Sequence, residues 1–255
     1  MDPLVGQVLN PTYAMGTVAL SYVISFFGSL LALLCTRKMV RSDGSVDFAM
    51  LAGGAVALGG IGIWSMHFIG MVAYRLPVPV LYDLPLTVVS LVAAIVISGL
   101  ALYLAGGKRF NTKGWIMGSL LAGLGVCVMH YMGMFAMNMR ASMAFDPAIV
   151  ALSVGIAITA AGAALWLAFN LRRLSHQIAA AAVMGVAVCT MHYVGMSAAS
   201  MICTAAAPTD ALAIGGSYMG LSVFGTAGAV LIFIYWVITG TSMDAPLAQR
   251  RARTS

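Results

Sequence analysis

Glutamate is absent from this 255-residue chain: all seven acidic side chains are aspartate, and charged residues make up only 8% of the sequence. With 62% hydrophobic residues and a mean hydropathy of +1.00, the composition excludes a water-soluble domain. Seven apolar stretches, near 13–35, 48–71, 84–105, 114–137, 147–171, 177–201 and 218–240, contain no Lys, Arg or Asp between their ends. Each is long enough for the roughly 20 residues of helix that cross a bilayer. The apolar runs are continuous rather than alternating at period two, which favours helices over a membrane β-barrel. The expected fold is therefore an all-α integral membrane bundle of seven transmembrane helices. Residues 1–241 would form the membrane domain and 242–255 a short cytoplasmic tail.

Basic residues are scarce on one side of this bundle. Arg37, Lys38 and Arg41, then Lys108, Arg109 and Lys113, then Arg172 and Arg173, and finally Arg250, Arg251 and Arg253 all fall on one face. Only Arg75 and Arg140 fall on the other. Positive residues stay cytoplasmic, so the N-terminus is expected outside and the C-terminus inside. The net charge of +6 then reports topology in the lipid bilayer and points away from nucleic acid. No basic flank precedes a short apolar core, so the first segment does not read as a cleavable signal peptide.

Cysteine is sparse too, with four residues, and no C-x-x-C-H run for covalent haem occurs. A disulfide framework is not expected in a membrane bundle. Cys127 and Cys189, each three residues before a histidine, read as small packing residues, with auxiliary ligands as the alternative.

Against these absences stands one triplicated heptapeptide: Ser65-Met66-His67-Phe68-Ile69-Gly70-Met71, Val128-Met129-His130-Tyr131-Met132-Gly133-Met134 and Thr190-Met191-His192-Tyr193-Val194-Gly195-Met196. Three of the four histidines sit at this repeated place, 63 and 62 residues apart. A glycine (Gly60, Gly123, Gly185) precedes each histidine by seven residues, and an alanine (Ala73, Ala136, Ala198) follows by six. The motif helices all run outward, so the three repeats are parallel, each an outward and an inward helix after one leading helix. His67, His130 and His192 then share one depth near the outer face. On a straight helix the Met at i+4 lies about 40° from its histidine and the Gly at i−7 about 20°. One stripe thus presents glycine, histidine and methionine together.

Imidazole and thioether are soft-metal ligands, better suited to copper than to Ca²⁺ or Mg²⁺, which need oxygen. The ligand set expected from the stripe is His67, His130 and His192 with Met71, Met134 and Met196, whereas the preceding Met66, Met129 and Met191 lie about 100° off their histidines. Tyr131 and Tyr193, with Phe68 in the first copy, would wall the pocket, or the two tyrosines would offer it a hydroxyl. No carboxylate shares these helices, which argues against a zinc hydrolase. No nucleophile, general base and orienting group occur together, so an enzyme acting alone is not expected. Asp83 and Asp146, followed by Pro85 and Pro147, read as helix N-caps. His176 reads as a cytoplasmic loop residue, and Asp210 as a further element of the repeat.

The Met-His-Tyr core, its triplication on alternate helices and the seven-span layout resemble the bacterial MHYT domain family over about residues 13–240. The resemblance implies an inner-membrane sensor whose motif residues bind copper, one or two ions, near the outer face and respond to O₂, CO or NO through it. By position it points to Met66, His67 and Met71, to Met129, His130, Tyr131 and Met134, and to Met191, His192, Tyr193 and Met196. The threonine of the family name is replaced by Ile69, Met132 and Val194, and Phe68 stands for the first tyrosine. Many relatives fuse this domain to cytoplasmic cyclic-di-GMP enzymes, kinases or DNA-binding modules. Here the expectation is signalling through a separate cytoplasmic protein, or a portion of a longer sensor. Two rivals stay open: a copper or small-molecule transporter with Met117, Met184 and Met219 as deeper stations, and a haem-binding electron-transfer protein. A third possibility is duplication of a motif that serves helix packing alone.

Overall fold

The computed structural model describes residues 4–106, 111–171, 173–205 and 212–253, the side chains of Ser217 and 240–253 excepted. Lys108, Arg109, Arg172 and Asp210 lie outside the described residues, as do the side chains of Arg250, Arg251 and Arg253. Seven helices follow in order: α1 Met15–Met39, α2 Phe48–Ala73, α3 Leu84–Gly106, α4 Thr112–Phe135, α5 Pro147–Asn170, α6 Leu174–Ser197 and α7 Gly216–Arg253. All seven are long and apolar enough to cross a membrane. Rows of exposed apolar side chains, such as Val88, Val89, Val92 and Val96 on α3, suit a lipid-facing surface.

Six of the helices close into a ring. Each of α1 to α6 packs on its chain neighbours, and α6 returns against α1. The seventh, α7, lies outside this ring and packs on α2 and α1. Flanked by α1 and α3 within the ring and covered by α7 outside it, α2 is the most enclosed span, with 89% of its apolar window buried. Small residues permit these approaches, as in membrane bundles generally. A Cβ at Gly28 of α1 would fall on the backbone of Gly62 in α2, and one at Gly59 on the backbone of Ala94 in α3. Ser25 Oγ donates to the Gly62 carbonyl at 2.8 Å across the first of these crossings.

On the face that carries few basic residues, the connections are not plain loops but short antiparallel ribbons. β1 Thr12–Tyr13 pairs with β2 Tyr74–Arg75, β3 Leu81–Asp83 with β4 Met137–Asn138, and β5 Ala141–Phe145 with β6 Ala199–Cys203. β7 Ala213–Gly215 adds to the free side of β3. The threefold repetition reaches single hydrogen bonds. The N–H groups of Ala14, Asp83 and Asp146 donate to the carbonyls of Ala73, Ala136 and Ala198 at 3.0, 2.8 and 2.8 Å. Those acceptors are the three alanines six residues after the histidines. The ribbons therefore join α1 to α2, α3 to α4 and α5 to α6. The repeat can be cut one helix earlier than its motif suggests, with the last helix as the extra one.

Local chemistry supports these ends. Asp146 accepts from the Ala148 and Ile149 N–H groups at 2.8 and 3.3 Å with Pro147 in the first turn, and Asp83 accepts from Leu86 at 2.8 Å. Asp47 caps α2 through Ala49 and Met50. The Met50 N–H and the Arg41 guanidinium, 2.9 Å away, hold that carboxyl below its usual range. His176 departs from expectation: it is an exposed residue in the first turn of α6, not a loop residue.

One further departure concerns the first copy. Residues Val56–Ser65 of α2 are π-helical, and Ser65 Oγ donates to the Gly60 carbonyl five residues back at 2.8 Å. The angular relation of Gly60 to His67 derived for 3.6 residues per turn fails there, because the backbone is more loosely wound. α4 and α6 carry their histidines on regular α-helix.

Candidate metal centre

The three motif helices turn their histidines onto the axis of the ring. His67 is 0% exposed, and His130 and His192 are 1% exposed. Their rings stand mutually edge to face, with centroids 4.9, 4.9 and 5.3 Å apart. His67 Nδ1 lies 3.0 Å from His192 Nδ1 and 3.1 Å from His130 Nδ1. One ligand atom from each histidine falls within 4.8 Å of the others, a spacing that can hold a metal ion. Neither Cys127 nor Cys189 belongs to this group, and Cys127 packs with Ala157 and Met191 instead.

The other ring nitrogen explains the motif's glycine. A Cβ at Gly133 would collide with His67 Nε2, one at Gly195 with His130 Nε2, and one at Gly70 with His192 Nε2. Each imidazole therefore rests on the glycine three residues after the histidine of another copy, and the three contacts run round the ring in one sense. Sequence reasoning placed these glycines on the helix and missed this contact. Their fixed position in the heptapeptide is the signal that could have revealed it.

Proton bookkeeping leaves the cluster incomplete. Three neutral imidazoles carry three N–H donors among six nitrogens. The Nδ1 atoms crowd together, while all three Nε2 atoms are buried without a hydrogen-bond partner among the described residues. A proton on Nδ1 serves at most a shared contact on the axis, and a proton on Nε2 faces a glycine. Buried polar atoms left this way are costly unless something else engages them. With the protons on Nε2, three lone pairs converge. Metal–nitrogen bonds of about 2.0–2.1 Å separate ligand nitrogens by roughly 3.3–3.6 Å, so ring retreats of a few tenths of an ångström suffice. The donor set fits a soft or borderline cation.

Aromatic rings one residue on brace the cluster: Phe68 on His67, Tyr131 on His130 and Tyr193 on His192, with centroids 4.9, 4.9 and 4.7 Å apart. Tyr131 bonds Ser153 Oγ at 2.8 Å and Tyr193 bonds Ser21 Oγ at 3.1 Å, so both hydroxyls are engaged with neighbouring helices. Tyr131→Phe and Tyr193→Phe should each lower stability by about 0.5–1.5 kcal/mol and leave metal content unchanged, which melting and metal analysis together would check.

All six methionines of the expected ligand set, Met66, Met71, Met129, Met134, Met191 and Met196, are buried. Met71, Met129, Met134 and Met196 share one core cluster with Phe68 and Ile69, whereas Met191 packs separately. The same cluster extends outward through Leu9, Tyr74, Tyr82, Met137, Met139, Met201 and Cys203. These residues and the ribbons form a lid over the triad.

A family model described as "Bacterial signalling protein N terminal repeat", named MHYT, matches residues 60–118 and again 123–181. The chain is 42% identical over 197 residues to the bifunctional diguanylate cyclase/cyclic di-GMP phosphodiesterase MucR of Pseudomonas aeruginosa, covering 75% of this chain and 29% of that protein. It is 35% identical over 217 residues to the cyclic di-GMP phosphodiesterase NbdA of the same organism, covering 82% of this chain and 27% of the relative. It is 29% identical over 238 residues to the signaling protein YkoW of Bacillus subtilis, covering 91% and 29%. The chain thus spans less than a third of the length of these relatives. No solved structure matches it. Seven membrane-length helices and the two repeat matches make this a multi-pass bacterial inner-membrane protein. With its motif repeated on three helices and the matches spanning two of the copies, the chain belongs to the MHYT family of bacterial signalling proteins.

Proposed function

We propose that this chain is a membrane sensor domain that holds copper, as one or two ions, on His67, His130 and His192, answers to O₂, CO or NO through it, and signals to a cytoplasmic protein. The observation that supports this most is the buried triad itself, with three Nδ1 atoms converging and three Nε2 atoms lacking partners. Bound copper would supply a site where a diatomic gas can coordinate. The imidazoles would bind it through Nδ1, and the glycines opposite would fix ring direction by packing, where metal-binding histidines elsewhere use a second-ring hydrogen bond. Met66, Met71, Met129, Met134, Met191 and Met196 are proposed thioether ligands, with the Tyr131 and Tyr193 rings as walls. The lid would exclude bulk water.

The output would run through α7. Met219, Val223 and Ala227 share the core cluster of Phe68, Ile69 and Met71, and Gly220 packs on Val72. At the other end, Lys38 Nζ donates to the Ile238 carbonyl at 2.7 Å. A ring shift at His67 therefore has a packed route to the helix that leaves the domain, provided the ligand binds two packings of α2 with different affinity. By analogy with MucR and NbdA, the regulated chemistry is proposed to be cyclic-di-GMP turnover.

Transport is less favoured: Met117 lies on an exposed face, Met184 on an internal cavity and Met219 in the outer core, so the three do not line up. A haem would need its macrocycle wedged between imidazoles that already touch. The test is metal analysis of purified wild type beside the triple variant His67→Ala, His130→Ala, His192→Ala. Wild type should retain copper and the variant none; equal content in both would defeat the ligand assignment.

A further inference from the structure

Below the triad the six-helix ring is not filled. A cavity of about 60 Å³ lies on its axis, lined from every ring helix by residues such as Ala32, Leu58, Ala101, Ala122, Leu165 and Met184. Ile63, Val126 and Val188 also line it. Each stands four residues before a motif histidine, one helical turn below the imidazoles, and Met191 beside His192 completes this upper end of the cavity. The only hydroxyl side chains in its wall are Thr36 and Ser98, and Thr36 Oγ1 already donates to the Leu33 carbonyl at 2.8 Å.

Such a wall does not hold water, which needs two to four polar partners, although one water requires only about 10–15 Å³. Protein interiors rarely keep voids larger than a water molecule, and a leucine in place of one of the wall alanines would close this one. Apolar cavities of this kind take up small uncharged molecules or rare gases. Polar and charged solutes are excluded by the wall and by the ring around it. Molecules that dissolve in the bilayer reach the ring directly.

We infer that this chamber is a binding site for a gas-sized, uncharged apolar molecule, held one turn beneath the histidine triad. Occupancy of the chamber stands on its own geometry. Its use as a reservoir that delivers a diatomic gas to the triad rests on the proposed function. The layer of Ile63, Val126 and Val188 is then the partition that such a molecule crosses, and its branched side chains set the size that passes.

Xenon-pressurised crystals of the full chain test this. Wild type should show a xenon peak on the ring axis, between the Ile63–Val126–Val188 layer and Leu165. The peak should be lost in Ala161→Leu, which fills the wall, and should grow in Leu165→Ala, which enlarges it. No axial peak in wild type, or an unchanged peak in Ala161→Leu, overturns the proposal. Should Ala161→Leu not fold, the wild-type peak and its growth in Leu165→Ala decide the matter. Metal content measured on the same samples separates the two readings: xenon without metal leaves the chamber standing and sinks the metal centre, and metal without xenon does the reverse.

Discussion

Gly133→Ala is expected to abolish metal retention and to lower stability by about 1–3 kcal/mol, the ordinary cost of overpacking a filled interior. The added methyl would land on the Nε2 edge of the His67 ring. That ring cannot swing away cheaply, because it is fully buried and held edge-on by Phe68, His130 and His192. His67 is also the histidine whose Nδ1 lies within hydrogen-bonding distance of both others, so displacing it separates the whole set. Gly195→Ala and Gly70→Ala should act alike through His130 and His192. Gly155→Ala is the control: its Cβ meets open space, and it should leave metal content unchanged with a stability change below about 1 kcal/mol. Copper analysis and thermal melting of the purified variants would decide. Wild-type metal content and melting in Gly133→Ala would show that the glycine contact does not position the ring.

Gly28→Leu should be more damaging to the fold than any of these. Here the obstacle is backbone: a Cβ would fall on the Gly62 amide nitrogen and Cα and close to the Ala57 carbonyl. No rotamer relieves that contact, so α1 must part from α2 and break the Ser25–Gly62 hydrogen bond. The expected loss is at or above the upper end of about 1–3 kcal/mol, with failure to assemble in the membrane as its plainest sign. Because α1 closes the ring between α6 and α2, metal retention should fall as well. Gly28→Ala should show a smaller effect of the same sign. A Gly28→Leu protein that assembles and melts like wild type would mean that this helix crossing is wider than described.

Much of this was legible in the amino-acid order. Continuous apolar runs mark the seven helices, since membrane length and the absence of internal charge leave no other element. Near-equal spacing of His67, His130 and His192 marks their common depth. The Asp83 and Asp146 caps follow from each aspartate and the proline one or two residues after it. What stayed hidden depends on which helix neighbours which. The heptapeptide shows Gly70, Gly133 and Gly195, but only ring order reveals that each supports the imidazole of a different copy. The π-helical stretch Val56–Ser65 is equally silent: its glycines are compatible with an α-helix, and it lies where α1, α3 and α7 all pack on it. The strands of the outer connections are silent too. They are two to five residues long and lack strong alternation, so they carry little local signal.

The circular order of the glycine contacts has a consequence for how such domains can be rearranged. Every copy owns a knob and a socket, yet the two serve different neighbours: His67 enters the socket of the second copy, His130 that of the third, and His192 that of the first. Removing one copy therefore empties one socket and strands one knob at the same stroke, and of the three joints a single one survives. A lone two-helix unit has nothing to fit. Recombination that moves this module between proteins must carry all three copies as an indivisible cassette.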